Sequence, residues 1–90
     1  MKLIYRLVGY DRTTGKLVEK NAVPEKFVDY AKRVAGIDPR DPNAIGDAPL
    51  TDGQARDIAG TIGVNIDVAH KEYFLEAYSE KSLPRQPAHA

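Results

Sequence analysis

Ninety residues without cysteine, 42% of them hydrophobic, describe one small domain that must hold its core together without disulfides. The 13 basic and 13 acidic side chains cancel, which argues against the dominant basic surface that non-specific nucleic-acid binding needs; a thiolate nucleophile or sulfur metal ligand is excluded outright. The signs are nevertheless segregated: residues 1–26 hold six basic and three acidic side chains (net +3), whereas residues 37–72 hold three basic and seven acidic (net −4). That pattern allows a charged protein partner, although an ordinary solvated surface is the commoner reason for it.

Leu3 to Tyr10 alternates strictly, with Leu3, Tyr5, Leu7 and Gly9 on one face and Ile4, Arg6, Val8 and Tyr10 on the other, which is a strand signal. Asp11 and Gly15 supply the side-chain acceptor and the positive φ of a bulged hairpin turn, and Lys16–Asn21 runs back along the first strand. Arg6 interrupts the opening apolar run before a signal-peptide core develops, and no apolar stretch reaches membrane-spanning length, so the cytoplasm is the expected compartment.

Pro24 suits the first turn of a helix and Glu25 its positive end; Phe27, Ala31 and Val34 form an apolar stripe that Gly36 ends, predicting a helix over Pro24–Ala35. Residues 37–50 contain three prolines and three aspartates, so an ordered loop without regular structure is expected there, pinned by Ile37, Ile45 and Leu50. Thr51 and Gln54 have the spacing of a capping box, followed by Ala55, Ile58, Ala59 and Ile62 at helical spacing and a stop at Gly63. Residues 66–78 fit two periods: the run Tyr73–Tyr78 reads as a third strand, yet Ile66, Ala69, Tyr73 and Ala77 also sit near helical spacing. From Glu80 two prolines and polar residues predict a disordered tail, leaving residues 1–79 as the domain.

The predicted architecture is α+β, in the order ββααβ. A three-stranded, mainly antiparallel sheet carries both helices on one face, with the third strand beside the first and the second at an edge. The expected core takes Leu3 or Ile4, Leu7, Leu17 or Val18, Phe27, Ala31, Val34, Ala55, Ile58, Ile62, Tyr73 or Phe74, and Leu75, the paired alternatives reflecting an open hairpin register.

Several stretches together carry a resemblance: Gly9-Tyr10-Asp11, Thr14–Val18, Gly36-Ile37, Asp41-Pro42, Leu50-Thr51 with Gln54-Ala55, and above all His70–Tyr78. Over residues 3–79 the chain resembles a family of small bacterial domains of unknown function whose members close with a similar acidic-Tyr-Phe-x-Glu-Ala-Tyr run. It departs from them at Pro39 and in a longer loop before Leu50. The resemblance implies a hairpin, two helices and a closing strand and transfers no active residue. Some such domains are similar to immunity or antitoxin proteins of bacterial conflict systems, an analogy of fold.

No set of residues points to catalysis. His70 has Asp67 three positions earlier and Glu72 nearby, which allows an acid–base or metal pair but is more commonly a structural arrangement; His89 lies in the tail. Asp41, Asn43, Gly46 and Asp52 fall on calcium-loop positions, but Ile45 and a short carboxylate at the last position spoil the ligand set. Ser79 and Ser82 have no base at motif spacing. No cofactor, metal or catalytic residue is therefore expected. The rival reading is a helix–turn–helix over residues 54–78, whose recognition helix would present Asp67, Glu72 and Glu76 to phosphates against Lys71 and His70.

The expected function is that of a non-catalytic domain binding another protein, possible neutralisation of that protein included, or a second copy of the chain. Two helices cover one sheet face, so the other is the expected docking surface. Arg6 marks the Ile4 set as the open one, giving Ile4, Arg6, Val8 and Tyr10, joined by Lys16 and Lys20 from the returning strand.

Overall fold

The computed structural model describes residues 3–37 and 46–79; the predicted tail from Glu80, Ile45 and the calcium-loop positions Asp41 and Asn43 lie outside them. β1 (Leu3–Asp11) and β2 (Leu17–Ala22) form the hairpin, and a 3-10 turn (Glu25–Phe27) leads into α1 (Val28–Val34). β3 (Gly46–Pro49), α2 (Asp52–Ile62) and β4 (Lys71–Ser79) follow. The sheet has the order β2-β1-β4-β3, antiparallel throughout, so the fold is α+β with the closing strand beside the opening one and β2 at an edge.

The local signals act as their chemistry requires. Asp11 Oδ1 accepts the backbone N–H groups of Thr13 and Thr14 at 2.7 and 2.9 Å, and Gly15 takes φ +72°, where a Cβ would be strained. The capping box forms in both directions: Gln54 N donates to Thr51 Oγ1 at 3.1 Å and Thr51 N to Gln54 Oε1 at 2.8 Å. Gln54 Nε2 also donates to the Val34 carbonyl at 2.9 Å, so one side chain caps α2 and ties it to the end of α1.

Alternation along β1 and β4 sorts their side chains. Tyr5, Leu7, Tyr73, Leu75 and Ala77 point under the helices, where they meet Ala31 of α1 and Ala55, Ile58 and Ala59 of α2; Leu7, Ile58 and Leu75 are fully buried. Burying each of those three side chains stabilises the fold by about 2 kcal/mol. Small residues on the helices let them lie close to the sheet.

Three expectations and the rival reading need correction. The proline-rich loop is not devoid of regular structure: Gly46–Pro49 adds a fourth strand to the predicted three. Pro49 is tolerated because β3 is an edge, and Leu50 N continues the pairing to the Tyr73 carbonyl at 3.0 Å. Neither Leu17 nor Val18 joins the core; they are 39% and 52% exposed. A bulge between Gly9 and Tyr10 shifts the hairpin register, and the helix-facing positions of β2 fall on Glu19 and Asn21. The first helix is shorter than expected, its opening turn being 3-10 rather than α. Finally, residues 65–78 do not form a recognition helix, because Lys71–Ser79 pairs along the whole of β1; the helix–turn–helix has no second helix.

The sheet is tightly packed at Gly9. A Cβ there would meet the Tyr73 ring at 2.9 Å, and that ring cannot swing away because its hydroxyl is held by Glu19 and by the Asp67 N–H. Gly9→Ala should therefore destabilise the domain by about 1–3 kcal/mol, read as a lower urea midpoint. An unchanged midpoint would contradict this packing.

Candidate functional site

The face of the sheet away from the helices has no described element over it, and its side chains form ordered rows. Across the strands from β2 to β3 one row reads Ala22, Arg6, Glu76, Asp47; the next reads Lys20, Val8, Phe74, Pro49. Outside these lie Ile4 beside Tyr78 and, at the hairpin end, Leu17 beside Tyr10 and Glu72.

Arg6 is the centre of this face. Its Nε donates to Glu76 Oε1 at 2.7 Å, its Nη2 reaches the same carboxylate, and its guanidinium carbon lies 4.7 Å from the Tyr78 ring centroid. Tyr10 and Phe74 meet edge to face at 5.4 Å. Val8, flanked by these groups, is fully buried although it belongs to the open face. Tyr10, Phe74 and Tyr78 remain half-buried. Toward the hairpin, Tyr10, Arg12, Asp47, Glu72 and Phe74 line a depression of about 290 Å³.

On this face Asp47 lies beside a like charge. Partial burial and the like charge of Glu76 push the Asp47 carboxyl above its ordinary range, and a hydrogen bond with Tyr10 and the charge of Arg6 offset this only in part. Asp47 nonetheless keeps an exposed side.

The opposite face holds a satisfied polar cluster. Glu19 accepts from Tyr73 Oη at 2.7 Å, from Lys71 Nζ at 2.9 Å and from Asn21 Nδ2 at 2.7 Å. Burial pushes its carboxyl up, but these hydrogen bonds outweigh it and hold the group below the ordinary value. The arrangement closes the edge of the core beneath β2, where an apolar residue was expected.

His70 and Asp67 do pair, Nδ1 to Oδ2 at 2.8 Å, but within a turn. The other Asp67 oxygen accepts the backbone N–H groups of Ala69 and His70, and the imidazole is 80% exposed. Among the described residues no third histidine or carboxylate joins them to make a metal-holding group. The pair shapes the turn into β4, where Arg12 N and His70 O also bond at 2.9 Å.

Of the expected surface residues, Ile4, Arg6, Val8 and Tyr10 share the open face with Lys20, which pairs with Val8. Lys16 stands apart in the turn before β2, where its carbonyl accepts from Asp11 N. Sequence reasoning missed Glu72, Phe74, Glu76, Tyr78 and Asp47. The signal for the first four was the alternation within 71–78, masked by a competing helical period.

The two carboxylates titrate with opposite consequences. Asp47, raised, contributes stability that is present below its ordinary value of 3.8 and lost as pH rises through its folded value. Glu19, lowered, contributes stability present above its ordinary value of 4.5 and lost as pH falls through its folded value. In dilute solution Asp47→Asn should therefore raise Tm at pH 7 and change it little at pH 3. Glu19→Gln should lower Tm at pH 7, with a penalty that shrinks in acid. Thermal scans at both pH values check this, and the same sign for both variants at pH 7 would contradict it.

Comparison of the chain with protein-family models, with curated proteins and with solved structures returned no match, which leaves the geometry of this sheet face to carry the functional reading.

Proposed function

We propose that the chain is a non-catalytic protein-binding domain that docks its partner on the helix-free face of the sheet. One observation carries this: Tyr10, Phe74 and Tyr78 stand around the Arg6–Glu76 pair on a face that no described element covers. Aromatic rings and arginine are the side chains over-represented where binding energy concentrates, because they bury large areas while keeping a polar handle. The resemblance to immunity-type proteins agrees with such a role and adds no residue to it. Three carboxylates against two cations make the face unsuited to phosphates. The His70–Asp67 pair supports the non-catalytic reading, since both of its members are engaged in a turn.

A photo-crosslinking residue placed at Tyr78 or Tyr10 tests the face in living cells, with exposed Arg56 of α2 as the control position. Protein adducts should form from the sheet positions and not from position 56. No adduct from either sheet position, or equal yields from all three, would overturn the proposal.

A further inference from the structure

The open face is electrically divided along the strand direction. Its β2 and β1 half carries Lys20 and Arg6 and no carboxylate; its β4 and β3 half carries Glu72, Glu76 and Asp47 and no cation. The division comes from the chain itself, because the basic first segment supplies one half and the acidic later segment the other. Lys20 and Glu72 have no ion-pair partner among the described residues.

A face split in this way matches a copy of itself in one orientation. A two-fold axis running parallel to the strands, between β1 and β4, lays β2 of one copy over β3 of the other and β1 over β4. Arg6 then lies opposite the second copy's Glu76, Tyr10 opposite its Glu72 and Val8 opposite its Phe74; Lys20 lies opposite Pro49, within a lysine's reach of Asp47. A two-fold axis across the strands would instead set Lys20 and Arg6 over the cationic half and the three carboxylates over each other, which costs several kcal/mol. Aligned stacking of two sheets, about 10 Å apart and turned by about 30°, is an ordinary packing for twisted sheets.

We infer that the partner on this face is a second copy of the chain, in a face-to-face dimer with its two-fold axis along the strands and Lys20 of each copy paired with Asp47 of the other. The inference rests on the protein-binding reading and names its occupant. At the usual strand spacing and rise the four strands present roughly 450 Å² per copy, below the roughly 800 Å² per partner of a standard interface. The dimer is thus reversible and comes apart on dilution and in high salt.

Analytical ultracentrifugation of the full chain across a dilution series reads the association, with Lys20→Glu, Asp47→Lys and the double variant alongside. Each single substitution should weaken the dimer about tenfold, because the pair occurs twice per interface, and the double charge swap should restore it. Both positions are exposed, and circular dichroism confirms that each variant folds. Carbodiimide cross-linking of mixed light and heavy isotope protein adds a second reading. Within one copy Lys20 and Asp47 are three strand spacings apart, about 14 Å, too far for a zero-length link, so a Lys20–Asp47 bond must join two copies. A chain that stays monomeric, or a dimer indifferent to both substitutions, overturns this inference. If photo-adducts from Tyr78 then contain a different protein, the binding reading survives the loss of the dimer; if they contain no protein, both fail.

Discussion

The structure depends on the pairing of β1 with β4, which joins the two ends of the described chain through nine consecutive residue pairs, from Leu3 with Ser79 to Asp11 with Lys71. Each strand is central and is flanked by a weaker edge. Because both alternate with the same phase, one set of contacts does two things. Leu7 beside Leu75 and Tyr5 beside Ala77 make the floor of the core, and Arg6 beside Glu76 with Val8 beside Phe74 make the opposite face. A slip of one residue would turn the alternation of one strand over relative to the other, parting Arg6 from Glu76 and carrying one of the two charges under the helices without its partner. The fully buried leucines penalise that slip, and the close passage of the Tyr73 ring over Gly9 adds a steric lock. Such pairing closes very long loops, so folding should be slower than the helix content suggests.

The separation of charge follows from the same topology. β2-β1-β4-β3 places neighbouring strands of the first segment together and neighbouring strands of the later segment together, so a sign bias along the chain becomes a sign bias across the sheet. The acidic half keeps a cost in the isolated domain, since Asp47 and Glu76 lie side by side and Asp47 is pushed toward its protonated form. Local conflict of this kind is typical of surfaces shaped by something other than stability.

Much of this was legible in the residues. The hairpin turn at Asp11 and Gly15, the capping box at Thr51 and Gln54, and the stops at Gly36 and Gly63 are short-range chemistry that needs no knowledge of the rest of the chain. The assignment of faces in β1 was legible because, from Leu3 to Tyr10, only one of the two alternating sets contains a charge, Arg6. What stayed hidden is what distant parts of the chain decide. The Arg6–Glu76 contact spans 70 positions. Residues 71–78 satisfy two periodicities, and only pairing with β1 selects the strand. β3 is four residues long and ends in proline, so its strand character comes from β4 rather than from itself. In β2 the bulge moves Leu17 and Val18 outward and hands the core edge to Glu19, a carboxylate that becomes suitable only when Tyr73, Lys71 and Asn21 surround it.

The central claim is that alternate positions of the two central strands separate a core from a docking face, and solvent paramagnetic relaxation measures this most directly. With a soluble gadolinium chelate in dilute protein, the rings of Tyr10, Phe74 and Tyr78 should relax strongly while those of Tyr5 and Tyr73 stay protected. On raising the protein concentration the first three should become protected and Arg56 should not change. Strong relaxation of Tyr5 and Tyr73, or protection that appears on α2 instead of the sheet, would contradict the account.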